Sequence, residues 1–278
     1  MPYITLRDGA QFYYKDWNPP ESTGTGTVLF SHGWPLSADA WEKQMFFLAA
    51  HGYRVIAHDR RGHGRSDQTW DKNDVDNWAD DLSELIEKLD LKELVLVGHS
   101  TGGAEVARYC TRHTTARVAK IVFISSVVPQ VVQSSVSPDG VPVAVFDGFR
   151  EAMLKDRAQF FLDVPRGPFF GFNRPGAKAS EGLVESWFTV GMQGGLKAVY
   201  ETSRSWEVDY SEDLKALEIP ALVIQGDDDQ IVPIKTGALA AIKLLKKGTL
   251  KVYPGGAHGI MDTQPEDINQ DLLGFLKA

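Results

Sequence analysis

From Thr27 onward the chain alternates short apolar runs of four to seven residues with longer segments whose apolar positions recur at helical spacing. The runs are Thr27 to Ser31, Arg54 to His58, Leu94 to Val97, Lys120 to Ser125, Ala221 to Gln225 and Leu250 to Tyr253. Their near-continuous Val, Leu and Ile content predicts strands buried on both faces, as in a parallel sheet covered by helices. Between them, Asn77 to Leu89 sets Trp78, Leu82, Leu85, Ile86 and Leu89 at i, i+3 and i+4 spacings with acids between, which predicts a helix with one packed and one wet face. Ahead of this alternation, Tyr3 to Leu6 and Gln11 to Lys15 flank Asp8-Gly9, a dipeptide that accepts the positive φ angles of a tight hairpin. A loop rich in Gly, Thr and Ser is expected at Glu21 to Gly26.

The alternation breaks between about Pro129 and Trp206, where Phe146, Phe149, Phe160, Phe161, Phe169, Phe170, Phe172, Trp187 and Phe188 accumulate among helix-forming and Gly/Pro segments. We read a single α/β domain over residues 1–278, with an eight-stranded, mostly parallel sheet flanked by helices and a helical cap of about residues 130–206 inserted after a central strand. Most of the cap aromatics are expected to form its own core, and a few to face a cavity beneath it.

Composition narrows the partners. A net charge of -8, from 29 Lys and Arg against 37 Asp and Glu, repels phosphate backbones and anionic membrane surfaces. The most apolar stretch, Ile121 to Val132, is interrupted by Ser125, Ser126 and Pro129 and is too short to span a bilayer. Cys110 is the only cysteine, so neither an intrachain disulfide nor a cysteine-based metal site is expected. The first nine residues have no basic and apolar leader pattern, which fits a cytoplasmic protein.

The chemistry concentrates where strands end. Val95-Leu-Val-Gly-His-Ser100-Thr-Gly-Gly103 joins a buried strand to a helix through a G-x-S-x-G turn. Such a turn holds the serine in a strained conformation, and Gly98 and Gly102 leave room for the backbone to approach itself. A serine hydroxyl needs a base, and the base needs an acid that fixes its tautomer, so the chain order Ser, acid, His is the next test. Asp227, Asp228 and Asp229 end one strand, and His258 follows the next on a glycine-rich loop. Of the seven histidines His258 is the best base, while the pattern alone does not choose among the aspartates. Cys110, inside the helix after the elbow, reads as a small core residue. At the end of the first central strand, Phe30-Ser-His-Gly-Trp34-Pro35 offers the second half of an oxyanion hole, made by the backbone N–H groups of Trp34 and Thr101. Pro35 confines the ψ of Trp34 to extended values and so holds its carbonyl in one orientation.

These residues, with SHGWPLSADAW, HDRRGHGRSDQ, VGHSTGG, AEVARY, VFDGF, DRAQFF and GDDDQIVP, resemble the α/β-hydrolase superfamily over nearly the whole chain. Within it the chain is similar to the cofactor-free haloperoxidases, also called perhydrolases or non-haem chloroperoxidases, and to their aryl-esterase relatives. The resemblance implies that Asp229 is the orienting acid, that Trp34 and Thr101 supply the oxyanion donors, and that no cofactor or metal takes part. It implies hydrolysis of aryl or short-chain esters through an acyl-enzyme, with hydrogen peroxide intercepting that acyl group, and a small ester or carboxylic acid plus peroxide as partners. The family often forms oligomers, although no heptad or long apolar run here requires one. Where many relatives carry methionine after the nucleophile this chain has Thr101, which implies a more polar pocket wall. Asp59 to Asp67 matches a family loop read as structural, its Arg and Asp holding the loops near the site. A lactonase or carbon–carbon bond hydrolase would use the same triad, as would a hydrolase-fold receptor, whereas dehalogenases and epoxide hydrolases carry aspartate where Ser100 stands.

Overall fold

The computed structural model describes residues 2–20 and 26–278, so the loop expected at Glu21 to Gly26 lies, apart from Gly26, outside the described residues. Eight strands form one sheet in the order β1-β2-β4-β3-β5-β6-β7-β8. They are β1 (Tyr3–Thr5), β2 (Gln11–Trp17), β3 (Thr27–Ser31), β4 (Arg54–His58), β5 (Leu94–His99), β6 (Val118–Ile124), β7 (Ala221–Gly226) and β8 (Gly248–Tyr253). β1 and β2 pair antiparallel, β2 pairs antiparallel with β4, and every other pairing is parallel.

The near-continuous apolar runs have a direct structural meaning, because successive side chains of a strand point to opposite faces and both faces here are covered. Val28, Phe30, Val55, Ala57, Val95, Val97, Val122, Ile124, Leu222 and Ile224 pack with Trp41, Met45, Leu48, Ile268 and Leu272 on one side. Their sequence neighbours Leu29, Ile56, Leu94, Leu96, Ile121, Phe123, Ala221 and Val223 face the opposite layer with Trp78, Leu82, Leu85, Val106 and Ala107. The helices of these layers are α1 (Glu42–Ala50), α2 (Val75–Lys88) and α3 (Thr101–Arg112). Between β6 and β7 the chain forms α4 (Val143–Val164), α5 (Glu181–Met192), α6 (Leu196–Thr202) and α7 (Ser211–Ala216). After β7 come α8 (Ala238–Leu244), α9 (Ile260–Thr263) and α10 (Pro265–Lys277). α4 is broken at Asp156, whose φ of -157° and ψ of 86° are not helical. Among the described residues no helix is long and apolar enough to cross a membrane.

Three local expectations need correction. β8 is an edge strand in which only Tyr253 is buried; among the described residues no strand pairs with its outer side, so two-sided burial fails there. The first hairpin closes through a wider turn than a two-residue one: Gly9 N–H donates to Leu6 O and Leu6 N–H to Ala10 O. Only Gly9, at φ +91°, takes the positive angle there. β6 stops at Ile124, because Ser125 turns to φ +44° with its N–H still bonded to Ile224 O.

Candidate active site

β5 delivers its chain to the carboxyl end of the sheet, and Ser100 turns there with φ +52° and ψ -120° before α3 begins at Thr101. Positive φ at a non-glycine residue costs about 1–3 kcal/mol and persists only where the surroundings over-determine it. Those surroundings are visible. Ser100 N–H donates to Ile124 O at 3.0 Å, and Ser100 O accepts from Gly103 N, Val127 N and Ser126 Oγ at 3.0, 3.2 and 3.1 Å. A Cβ on Gly98 would sit 2.4 Å from Gly102 O, and one on Gly102 would sit 2.1 Å from Ser31 O. The two glycines are therefore what allow the elbow to close and α3 to lie against the end of β3.

Asp229 and His258 meet because the loops after β7 and β8 run back to back. A Cβ on Gly226 would lie 2.0 Å from Gly256 O, and Asp228 N–H donates to Gly256 O at 3.1 Å. In that arrangement His258 Nδ1 stands 2.8 Å from Asp229 Oδ2. A carboxylate only accepts, so Nδ1 carries the proton and Nε2 is left with a free lone pair. Asp229 is itself held: Oδ1 accepts from Ile231 N and Val232 N at 2.9 Å, and Oδ2 from Gln225 Nε2 at 3.3 Å. The choice the sequence pattern left open has a geometric answer. Asp227 bonds Gly255 N–H at 2.6 Å and Asp228 pairs with Arg174, so only Asp229 reaches the imidazole.

Ser100 and His258 both line one cavity of about 220 Å³. Among the described residues no hydrogen bond yet joins Ser100 Oγ to the ring. Such bonds are often long in unliganded sites and tighten when substrate arrives. His99, next to Ser100 in the chain, packs against His258: its ring lies 4.9 Å from that of His258, and its Nε2 is 3.2 Å from His258 O. Because a carbonyl only accepts, Nε2 is the protonated nitrogen of His99. Burial, with the nearby His258 adding to it, holds the His99 pKa well below the ordinary histidine range, so this ring stays neutral.

Trp34 also lines the cavity, and its indole Nε1 donates to Val199 O at 2.8 Å. A Cβ on Gly33 would lie 3.0 Å from Ser100 Cβ, so glycine there brings the Trp34 loop up against Ser100. The Trp34-Pro35 peptide is cis, a feature the sequence does not announce. Among the described residues neither the Trp34 nor the Thr101 backbone N–H has a protein acceptor. The polar pocket wall expected from Thr101 does not materialise, because Thr101 is fully buried and is not among the residues that line the cavity, and its Oγ1 has no partner among the described residues. Cys110 is buried in α3, and burial together with the charge of Asp213 pushes its thiol up to about 12, which leaves no thiolate at neutral pH.

Of the aromatics between β6 and β7, Phe146, Phe149, Phe160, Phe169 and Trp206 line the cavity, while Phe161, Phe170, Phe172, Trp187 and Phe188 do not. Sequence reasoning missed Ile231 and Val232, which line the wall just after Asp229, and Asp163 near the end of α4. Ile231 and Val232 had a signal in the apolar pair following Asp229; Asp163 had none.

Beneath the site, Glu105 of α3 gathers a fully buried network. Its Oε2 accepts from Arg60 Nε and Nη2 at 3.0 and 2.7 Å and from Ser31 Oγ, and Oε1 lies 2.8 Å from His58 Nε2. Arg60 also donates from Nη2 to His32 O at 2.8 Å and from its backbone N–H to His32 Nε2 at 3.0 Å. The network ties the loop carrying Trp34 to the helix that follows Ser100.

A family model described as the alpha/beta hydrolase fold matches residues 26–265. The chain is 50% identical to a non-heme chloroperoxidase of Burkholderia pyrrocinia over 100% of both proteins. It is 48% identical to a bifunctional esterase/perhydrolase of Acinetobacter calcoaceticus, again over 100% of both. Among solved structures, a bromoperoxidase from Bacillus anthracis superposes with a TM-score of 0.92 at 32% identity, covering 100% of each chain.

Proposed function

The chain belongs to the α/β-hydrolase fold family, within its non-haem haloperoxidase and perhydrolase branch, and from that premise we propose that Ser100, His258 and Asp229 form its catalytic triad. The observation that carries the reading is the 2.8 Å contact between His258 Nδ1 and Asp229 Oδ2, with the imidazole and Ser100 on one apolar cavity. In this reading Ser100 Oγ attacks the carbonyl carbon of an ester while His258 Nε2 takes its proton. The negative charge that develops on the carbonyl oxygen is met by the N–H groups of Trp34 and Thr101, donors already oriented before the charge appears. Collapse breaks the bond to the alcohol, which leaves with the proton from His258, and an acyl-Ser100 ester remains.

Water then releases the acid, or hydrogen peroxide attacks the same carbonyl and leaves as a peracid, restoring the Ser100 hydroxyl in either case. The peracid oxidises bromide or chloride away from the protein, taking up one proton and returning the carboxylic acid. The cavity volume of about 220 Å³ and its aromatic walls favour short-chain and aryl esters. A cytoplasmic location accords with the single cysteine being buried.

The test is turnover of p-nitrophenyl acetate with and without peroxide. Ser100→Ala is expected to lose about four to six orders of magnitude in kcat, the scale seen when a triad member is removed, and to lose peracid formation in parallel. A loss of only a few fold would remove Ser100 from the nucleophile's role.

A further inference from the structure

The walls above Ser100 are aromatic and apolar, with a single carboxylate. Six aromatic side chains line the cavity, Trp34, Phe146, Phe149, Phe160, Phe169 and Trp206, with apolar residues between them. Their rings are interlocked: Trp34 meets Trp206 edge-on at 5.1 Å, Phe146 meets Trp206 at 5.6 Å, and Phe149 meets Phe160 at 5.7 Å. Among the described residues no Lys or Arg lines this space, and the one carboxylate that does is Asp163. Asp163 is exposed, which places it at the solvent side of the cavity, and its Oδ1 accepts from Gln159 Nε2 at 2.7 Å. Among the described residues no cation pairs with it.

Each element acts on a charged substrate with the same sign. Aromatic faces carry negative charge density and attract cations, most readily weakly hydrated quaternary ammonium groups. An unpaired carboxylate adds a full negative charge at the entrance. An anion entering such a space sheds water and finds no counter-charge in return. We propose that this site selects its acyl donors by charge, favouring esters that carry a cationic group over neutral isosteres and rejecting those that carry a carboxylate, with Asp163 as the specificity-determining residue. The inference rests on the reading of Ser100 as the nucleophile of this cavity. It has a second consequence: once the product acid ionises, the same field drives it out.

Isosteric acetate esters separate charge from shape. Acetylcholine and 3,3-dimethylbutyl acetate differ by nitrogen against carbon, and 4-acetoxybutyrate supplies the anion. For the unmodified protein kcat/KM should fall in the order cation, neutral, anion, by roughly fivefold to tenfold at each step. That is the scale of a unit charge acting at about 7 Å through a partly screened medium. The ratios should shrink as salt rises from about 0.01 M to about 1 M. Asp163→Asn should reduce the cation-to-neutral ratio several fold, and Asp163→Lys should lower it further and raise the anion. Equal kcat/KM for the three esters in the unmodified protein, or ratios untouched by both substitutions, would overturn the role of Asp163. If p-nitrophenyl acetate and all three esters go unhydrolysed, it is the hydrolase reading itself that fails.

Discussion

Glu105→Gln is the substitution that interrogates the architecture beneath the site most sharply, because it changes charge with almost no change in shape. Glu105 is fully buried, and so is Arg60, whose guanidinium lies 4.4 Å from the centre of the Trp78 ring. An amide at position 105 can still turn its oxygen to Arg60 and Ser31. Its NH2 then faces His58 Nε2, which can accept if that ring moves its proton to Nδ1, an atom with no partner among the described residues. The loss is therefore mainly electrostatic: a buried guanidinium is left without its counter-charge, which costs about 3–5 kcal/mol. A second route gives a similar magnitude. Burial pushes the Glu105 carboxyl up, but the charge of Arg60, the electrostatic interaction with His58 and hydrogen bonds from His58 and Ser31 outweigh it and bring it down from 4.5 to about 2. At about 1.4 kcal/mol per pH unit that difference is worth about 3 kcal/mol. It is present above the unfolded value of 4.5 and is lost as pH falls toward about 2.

Urea unfolding followed by tryptophan fluorescence reads the effect against a total stability of about 5–15 kcal/mol. The double variant Arg60→Met with Glu105→Leu removes both charges, and it should lose about 1–3 kcal/mol less than the sum of the two single changes. A Glu105→Gln cost under about 1 kcal/mol, or strict additivity in the double variant, would refute the account of a coupled buried pair.

Two further outcomes follow from the same geometry. Asp229→Asn should lower kcat by about three to four orders of magnitude by disturbing the tautomer of His258. Asp227→Asn, whose side chain only caps Gly255, should stay within about tenfold, and equal losses at the two positions would contradict the assignment of the acid. His32, His63 and His99 are all buried; burial, with the charge of Arg60 next, lowers His63 to about 3, and burial holds the other two well below 6.5. The unfolded chain takes up these protons and the folded one does not, so stability is full above about pH 6.5 and falls below it, by up to about 1.4 kcal/mol per pH unit for each ring. A urea midpoint unchanged between about pH 7.5 and about pH 5.5 would contradict this.

What was legible in the sequence follows from how local each feature is. β3 and β4 have the predicted limits because their apolar runs end in residues that leave the sheet. β5 continues two residues further, to His99, since Gly98 still pairs with Ser31 and Phe123. Ser100 and His258 could be picked out because strand ends and glycine-rich loops mark them. The choice of Asp229 came from resemblance, since three adjacent aspartates differ only in which direction the loop turns each one. The cavity wall was the least legible part. Phe160 lines it and Phe161 does not, a distinction made by the packing of α4 across the break at Asp156 and invisible in a Phe-Phe pair. Asp163 likewise looks in the sequence like any solvated acid on a helix.

The measurement that bears most directly on the central claim is the mass of the protein quenched in acid within milliseconds of mixing with excess p-nitrophenyl acetate. The account predicts a single added acetyl group, carried by the peptide that contains Ser100, formed at a rate that keeps pace with turnover and removed faster when hydrogen peroxide is present. Continued turnover with no adduct, or an acetyl group found on another side chain, would contradict it.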